Sequence, residues 1–450
     1  MLKNLFALSV LLVLAACGGG GGDSLGMASS GPVEAAALKA DAAPPPTTTL
    51  VPGDVLLVNT TTAGNQGAVR IGATADGGYT VAWLSGTSQF IQHYDRKGLK
   101  SGGETLVSGT GAVAVLADGG VVQACCGEPI VPGTEFQRGQ AGRTDLTATR
   151  FDPGGNFVQQ IQVAFIDQPP NPLFLYRFFA DVKVLGLPDG GFVVGWVVAS
   201  PSRIGVTHTL YVRRYDSQGE PVTGPAIGFS ALGPPYISYS LAADAQGGFT
   251  VTVVVPRIFQ QSPESPLTYT PLTSVFHFDA ANTETRIIAE RAGGVLLLPL
   301  EGDRYVLFTS DASGSFRQFL DSAGNAVGDP TPIPGMPFDA IELADGSFVV
   351  FWNVSGYIMA QRFDSDGAAA GDLLTVTSHA LGPVVTALVD GGFALAWSGP
   401  NAGGDTDVFT VSYTDINEHA ALRLKRKACL ANARGMVGQE RKAFMDACLA

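Results

Sequence analysis

Residues able to do chemistry are sparse in this chain, and their spacing argues against most catalytic schemes. Five histidines (His93, His208, His277, His379 and His419) stand singly, without the short separation that places two imidazoles on one metal. No Gly-x-Ser-x-Gly element precedes a helical pattern, so no nucleophile elbow is expected. Asp364-Ser-Asp366-Gly367 and Asp405-Thr-Asp407 have the acid density of calcium loops but lack the full ligand spacing and the closing Glu. They read as turns, and neither a metal nor a cofactor is expected. The other polar candidates occupy three insertions: Glu128, Glu135, Arg138 and Arg143 within 126–145, Arg203 and His208 within 199–208, and Arg257 and Glu264 within 256–271. Long insertions on a rigid scaffold are where binding residues tend to sit.

The elements that hold these residues follow from composition. With 57 Gly and 28 Pro beside 15% charged residues, the chain suits many short strands joined by tight turns, and an all-α fold is nearly excluded. The formal charge of -13 repels phosphate backbones, so nucleic acid is not an expected partner. Charge is uneven: residues 421–450 are net +5, leaving -18 on the rest, which marks the C-terminal stretch as a separate module.

One phrase returns along the body. It runs Asp76-Gly-Gly-Tyr-Thr-Val-Ala-Trp83, then from Asp118 to Cys125, Asp189 to Trp196, Gln246 to Val253, Asp345 to Trp352 and Asp390 to Trp397, with a degenerate copy from Gly302 to Phe308. Asp-Gly is the residue choice of a two-residue hairpin turn needing positive φ. A second hairpin signal follows in each unit at Tyr94-Asp95, Phe151-Asp152, Tyr215-Asp216, Phe278-Asp279, Leu320-Asp321 and Phe363-Asp364, with Tyr413 and Asp415 as a looser seventh. Seven units of four strands are the signature of β-propeller blades. Trp83, Trp196, Trp352 and Trp397 share one register, seven residues after the turn residue, and are expected to pack between blades as structural side chains. The last unit lacks a fourth strand, and Gly53 to Val58 matches fourth strands such as Gly103 to Val107. The expectation is therefore an all-β seven-bladed β-propeller with N-terminal strand closure. In a propeller the insertions between strands two and three share a face, so those of the second, third and fourth blades should form a raised wall over the channel.

The N-terminus carries Lys3, an apolar run from Leu5 to Leu14 too short to span a bilayer, and small residues before Cys17. Leu14-Ala15-Ala16-Cys17 resembles the lipobox of bacterial lipoproteins, which implies cleavage before Cys17, its lipidation, and a membrane contact through the anchor. Gly18 in place of Asp implies the outer membrane by that family's sorting rule. Residues 18–49 read as a tether spanning roughly 30 Å. The Asp-Gly-Gly-Phe-Val-Val-x-Trp phrase with Gln361-Arg362-Phe363-Asp364 resembles repeats of large secreted bacterial proteins, which implies repeat type and little about function. Ser310 to Phe316 resembles the sialidase Asp box, with Ser, Gly and aromatic misplaced.

The tail from His419 to Ala450 reads as two short helices around 435–438. Cys429-Leu-Ala-Asn-Ala-Arg434 and Gln439 to Leu449 resemble the PsiF-type repeat of periplasmic proteins, which implies a small C-terminal α-helical hairpin with Cys429 and Cys448 paired. Adjacent Cys125 and Cys126 resemble the vicinal disulfide of quinone-dependent propeller dehydrogenases, whose tryptophan docking motifs are missing here. The division expected is 1–16 signal, 17–50 lipidated Cys and linker, 51–416 propeller and 417–450 helical hairpin. The expected role is a binding or assembly scaffold for a protein or glycan ligand. The alternative is a propeller enzyme acting on a glycan or small molecule at the channel mouth.

Overall fold

The repeated phrase builds the same hairpin in copy after copy, and each of its residues has a separate task. In the first, Gly77 N–H bonds the Thr74 carbonyl and Thr74 N–H bonds the Gly78 carbonyl, so the loop holds three residues rather than the two expected from Asp-Gly. The same pair of bonds closes the turns at 116–120, 187–191, 244–248, 343–347 and 388–392. Only the first glycine adopts the left-handed conformation, at φ +91° in Gly77 and +83° in Gly190, as a type I turn followed by a bulge requires. The second glycine serves close approach. A Cβ on Gly78, Gly120, Gly191, Gly248 or Gly392 would run into the carbonyl oxygen of Tyr94, Phe151, Tyr215, Phe278 or Tyr413, the aromatic of strand three.

The computed structural model describes residues 50–109, 111–126, 142–168, 177–202, 205–222, 226–232, 237–259, 268–292, 294–302, 304–311, 313–389 and 391–415. They form seven antiparallel sheets in a seven-bladed β-propeller, with no helix among them. Blade 1 has strands Gln66–Ala73, Tyr79–Ser85, Ser88–Tyr94 and Lys100–Val107, and blade 2 has Ala112–Val115, Val121–Cys126, Gly142–Phe151 and Phe157–Gln168. Blade 3 comprises Phe178–Gly186, Phe192–Ser202, Gly205–Tyr215 and Ala226–Leu232, and blade 4 Ser238–Ala243, Phe249–Phe259, Thr268–Phe278 and Glu284–Ala292. Blade 5 runs Gly294–Leu300, Arg304–Asp311, Gly314–Leu320 and Ala326–Ile333, and blade 6 Asp339–Glu342, Phe348–Val354, Tyr357–Phe363 and Leu374–Ser378. Blade 7 has Leu381–Ala387, Phe393–Pro400 and Thr406–Asp415. Along the outer side of this last strand lie Leu50–Pro52, with Leu50 opposite Asp415, and Leu56–Leu57, with Leu56 opposite Thr410. The strand thus runs straight through the looser Tyr413 and Asp415 signal, with Asp415 in its ladder. First strands pack from blade 1 to 2 to 3 to 4; that of blade 5 lies against strands two and three of blade 4, and packing continues through blades 6 and 7 back to blade 1.

The strand-two stripe of each phrase faces the preceding blade. Tyr79, Val81 and Trp83 share a core with Ala394, Ala396 and Val408 of blade 7, and Phe192, Val194 and Trp196 share one with Val122 and Leu146 of blade 2. Phe348, Val350 and Trp352 pack on blade 5, and Phe393, Leu395 and Trp397 on blade 6. The four tryptophans are at most 3% exposed. Within a blade the phrase aromatic stacks on the one preceding the second turn, with centroids 4.7 Å apart for Tyr79–Tyr94 and 4.6 Å for Phe393–Tyr413. Each such pair adds about 0.5–1.5 kcal/mol beyond area burial.

The Arg or His before that aromatic laces one blade to the next. His93 Nε2 lies 2.8 Å from the Pro153 carbonyl oxygen of blade 2, and Arg150 donates to the Ser217 carbonyl of blade 3. Arg214 donates to the Asp279 carbonyl of blade 4 at 3.0 Å, and His277 Nδ1 is 2.9 Å from the Tyr305 hydroxyl of blade 5. Arg317, from an offset position, reaches the Gly367 carbonyl of blade 6. The turn aspartates hold these side chains from their own blade: Asp189 pairs with Arg214 at 2.7 Å, Asp244 with His277 at 2.8 Å and Asp345 with Arg362 at 2.6 Å.

Candidate functional site at the channel mouth and the projecting strands

Strands two and three are seven residues each in blades 1 and 6 and eleven each in blades 3 and 4. Four further residues at 3.3 Å each carry these hairpins about 13 Å farther. The stretches expected to be loops are therefore ladder: Ala199 pairs His208 and the pairing continues to Ser202 and Gly205, while Pro256 pairs Pro271 and continues to Phe259 and Thr268. β-Branched alternation such as Val206-Thr-His-Thr-Leu210 favours this outcome. In blade 2 the third and fourth strands outrun the second, which ends at Cys126 opposite Leu146.

This geometry separates the expected binding residues. His208 lies within the sheet between Ala199 and Ala231, only 1% exposed, and burial pushes its pKa below the usual histidine value. It is a core residue and not part of an exposed surface. Arg257 stands in the ladder opposite Thr270. Arg143 is exposed on the projecting end of blade 2, paired with Asp145 at 2.8 Å and lying 4.0 Å over the Phe165 ring, itself 53% exposed. Glu128, Glu135, Arg138, Arg203 and Glu264 lie outside the described residues, as do Cys17, Cys429 and Cys448. Cys125 and Cys126 are half-buried, with Cys125 Sγ 3.4 Å from the Cys126 carbonyl oxygen.

The innermost strands place a second set of polar groups at one level of the channel. Opposite the residue six places after the phrase's start stand Arg70, Ala112, Lys183, Ser240, Asp339 and Val384, with Leu296 at the matching position of the degenerate copy. Blades 1, 3 and 7 carry a bulge just before that position, with φ of +50° at Ala68, +45° at Asp181 and +54° at Gly382. Such φ values in non-glycine residues are strained and persist only where the surroundings enforce them.

Lys183 donates to the Tyr239 carbonyl across the seam to blade 4, lies 4.7 Å over that ring and is 3.5 Å from the Asp181 carboxylate. Burial nonetheless lifts the Asp181 pKa, outweighing Lys183. Arg70 donates one bond, to the Val69 carbonyl at 2.8 Å, and pairs with no carboxylate among the described residues; burial lowers its pKa. Asp339 accepts the Ala340 N–H at 2.9 Å, and burial pushes its carboxyl up to about 7. The signal missed in the sequence was a charge inside an apolar innermost strand, as in Val69-Arg70-Ile71 and Val182-Lys183-Val184. Among the described residues no group of three His, Cys, Asp or Glu side chains is placed to hold a metal.

No protein-family model and no curated protein matches the chain. Among solved structures, a protein of unknown function from Dyadobacter fermentans is similar at 10% identity and a TM-score of 0.43, over 82% of this chain and 100% of that one. The Dos1 propeller is similar at 13% identity and 0.35, over 82% and 95%. Prolyl oligopeptidase B from Galerina marginata is similar at 11% identity and 0.39, over 78% of this chain and 47% of that enzyme.

Proposed function

We propose that the chain is a lipid-anchored protein of the bacterial outer membrane whose propeller is a binding module. The observation that carries the binding role is the concentration of projecting strands on three neighbouring blades, all on the face where strands two and three connect. Exposed Phe165 under Arg143 gives that face an aromatic and a cation, the residue types that dominate contact surfaces. The strained innermost strands beside it supply a polar channel mouth. Pairing of residues 50–58 along blade 7 supports ring closure by the N-terminal strand. The Leu14-Ala15-Ala16-Cys17 pattern supports the anchor, and the Cys429 and Cys448 repeat supports a helical hairpin after the propeller.

A photo-crosslinking amino acid placed at Phe165, and separately at Leu99 on the opposite hairpin face, tests the binding face in intact cells. Adducts are expected from position 165 and not from 99; equal adducts from both, or none from 165, would remove the reading. Cys17→Ser should shift the protein out of the membrane fraction, and unchanged association would remove the anchor.

A further inference from the structure

Beside the seam with blade 7, blade 1 and the segment leading into it line a half-open cavity of about 160 Å³ that lies apart from the projecting strands of blades 2 to 4. Its roof is the segment 59–66, which leads from the N-terminal edge strand to blade 1 and is stitched down along its length. Asn59 Nδ2 donates to Asp407 Oδ1 at 2.8 Å and Asn59 Oδ1 accepts the Val408 N–H at 2.7 Å. Gly64 N–H donates to Asp405 Oδ2 at 3.0 Å, and Thr406 Oγ1 donates to the Gln66 carbonyl at 2.9 Å. The roof is preorganised. Thr60 N–H bonds one oxygen of Glu104, which closes the outer wall from strand four of blade 1.

The groups left over inside are two acceptor oxygens and two hydroxyls. Gln66 is 1% exposed; its Nε2 is shared between the Ala63 and Gly64 carbonyls at 3.4 Å each, and its Oε1 receives no hydrogen bond. Buried side-chain oxygens are seldom left so, and the cavity it lines is where a donor can come from. Glu104 keeps its second oxygen free of bonds among the described residues, and so do the hydroxyls of Ser85 and Ser88 at the tip of the blade 1 hairpin. Phe90, backed by the buried Trp83 at 5.8 Å between ring centroids, forms the apolar side. No Lys, Arg or His lines the cavity.

We infer that this seam cavity binds a single neutral sugar ring. An anion is opposed by Glu104, and no Lys, Arg or His in the lining balances it. A small organic cation would satisfy Glu104 and the aromatic pair but leave Gln66 Oε1 and two serines unused. A pyranose brings several hydroxyls on one rigid frame, together with C–H surface for the Phe90 side, which matches polar groups spread around a small space.

Titration calorimetry and thermal shift on the full chain test this with glucose, galactose and N-acetylglucosamine, with choline and citrate as counter-probes. Saturable binding of at least one sugar is expected, weakened about tenfold, the worth of one hydrogen bond, in Gln66→Leu and in Ser88→Ala. Ser88→Ala changes a hairpin tip and keeps the test open if Gln66→Leu fails to fold. No saturation by any of the three sugars, saturation by choline or citrate alone, or sugar affinity unchanged in both variants overturns the assignment. The cavity shares no residue with the projecting strands, so crosslinking from position 165 and sugar binding here succeed or fail independently.

Discussion

Arg214 isolates the energetics of one seam. Its side chain is 3% exposed; Nη2 donates to Asp189 Oδ2 at 2.7 Å within blade 3, and Nη1 donates to the Asp279 carbonyl at 3.0 Å in blade 4. The two bonds are unequal. The Asp189 side chain is 45% exposed, so water screens the attraction and rehydrates the carboxylate when its partner is lost, which holds the pair to about 1 kcal/mol or less. The bond across the seam joins a charged donor to a backbone acceptor and should be worth about 1.5–3 kcal/mol. Arg214→Met keeps the aliphatic stem and removes both, for an expected loss of about 2–4 kcal/mol. Asp189→Asn leaves an amide oxygen in place and should cost about 1 kcal/mol or less. Urea midpoints of the wild type, the two single variants and the double variant supply the comparison, with a coupling energy of about 1 kcal/mol or less expected from the cycle. A loss in Asp189→Asn equal to that in Arg214→Met would place the energy in the ion pair within blade 3 and refute the role given to the bond between blades.

Gly392→Ala should lower the melting temperature through overpacking worth about 1–3 kcal/mol, because its Cβ meets the Tyr413 carbonyl oxygen, whereas Gly335→Ala, with open space around it, should be nearly neutral. Asp339 releases its proton near 3.8 when unfolded but only near 7 when folded, so stability should fall as pH rises through that window and level off above it. Asp339→Asn should flatten the slope and exceed the wild type in melting temperature above neutral pH; an unchanged slope would count against burial as the cause. In the C-terminal segment, peptide mapping without reductant should recover Cys429 joined to Cys448, a loop closure worth about 3 kcal/mol; free thiols or pairing with Cys125 or Cys126 would exclude it.

The repeat grammar was legible because it is local. Asp-Gly-Gly followed by an alternating strand specifies a hairpin whatever surrounds it, and seven copies specify the ring. The loop length was misjudged because the Asp-Gly dipeptide also suits a two-residue turn; the second glycine, needed against the Tyr94 or Tyr413 carbonyl, answers to a neighbouring strand that no local reading contains. The long hairpins carry Pro201, Pro256 and Pro271 in ladder register, a residue type that sheets ordinarily confine to edges and bulges, so the strands there are set by their partners and not by local propensity. Arg70 and Asp339 were missed for a different reason. Their standing depends on which strand is innermost and on meeting the same level from separate blades, and that becomes visible only once the ring is closed.

The registered pair of Leu50 with Asp415 brings the two chain ends out of the propeller side by side. If the segments before and after it are drawn to different attachments, tension falls on that one pair first. The ladder then opens one bond at a time through Val51–Thr414 and Pro52–Tyr413, as a zipper does, instead of resisting along its whole length as a sheared strand would. Load is thereby spent on the Leu50–Pro52 edge strand before it reaches the interior blades, which are laced by Arg150, Arg214 and Arg317. Under such a load the Leu50–Pro52 strand would act as a mechanical fuse.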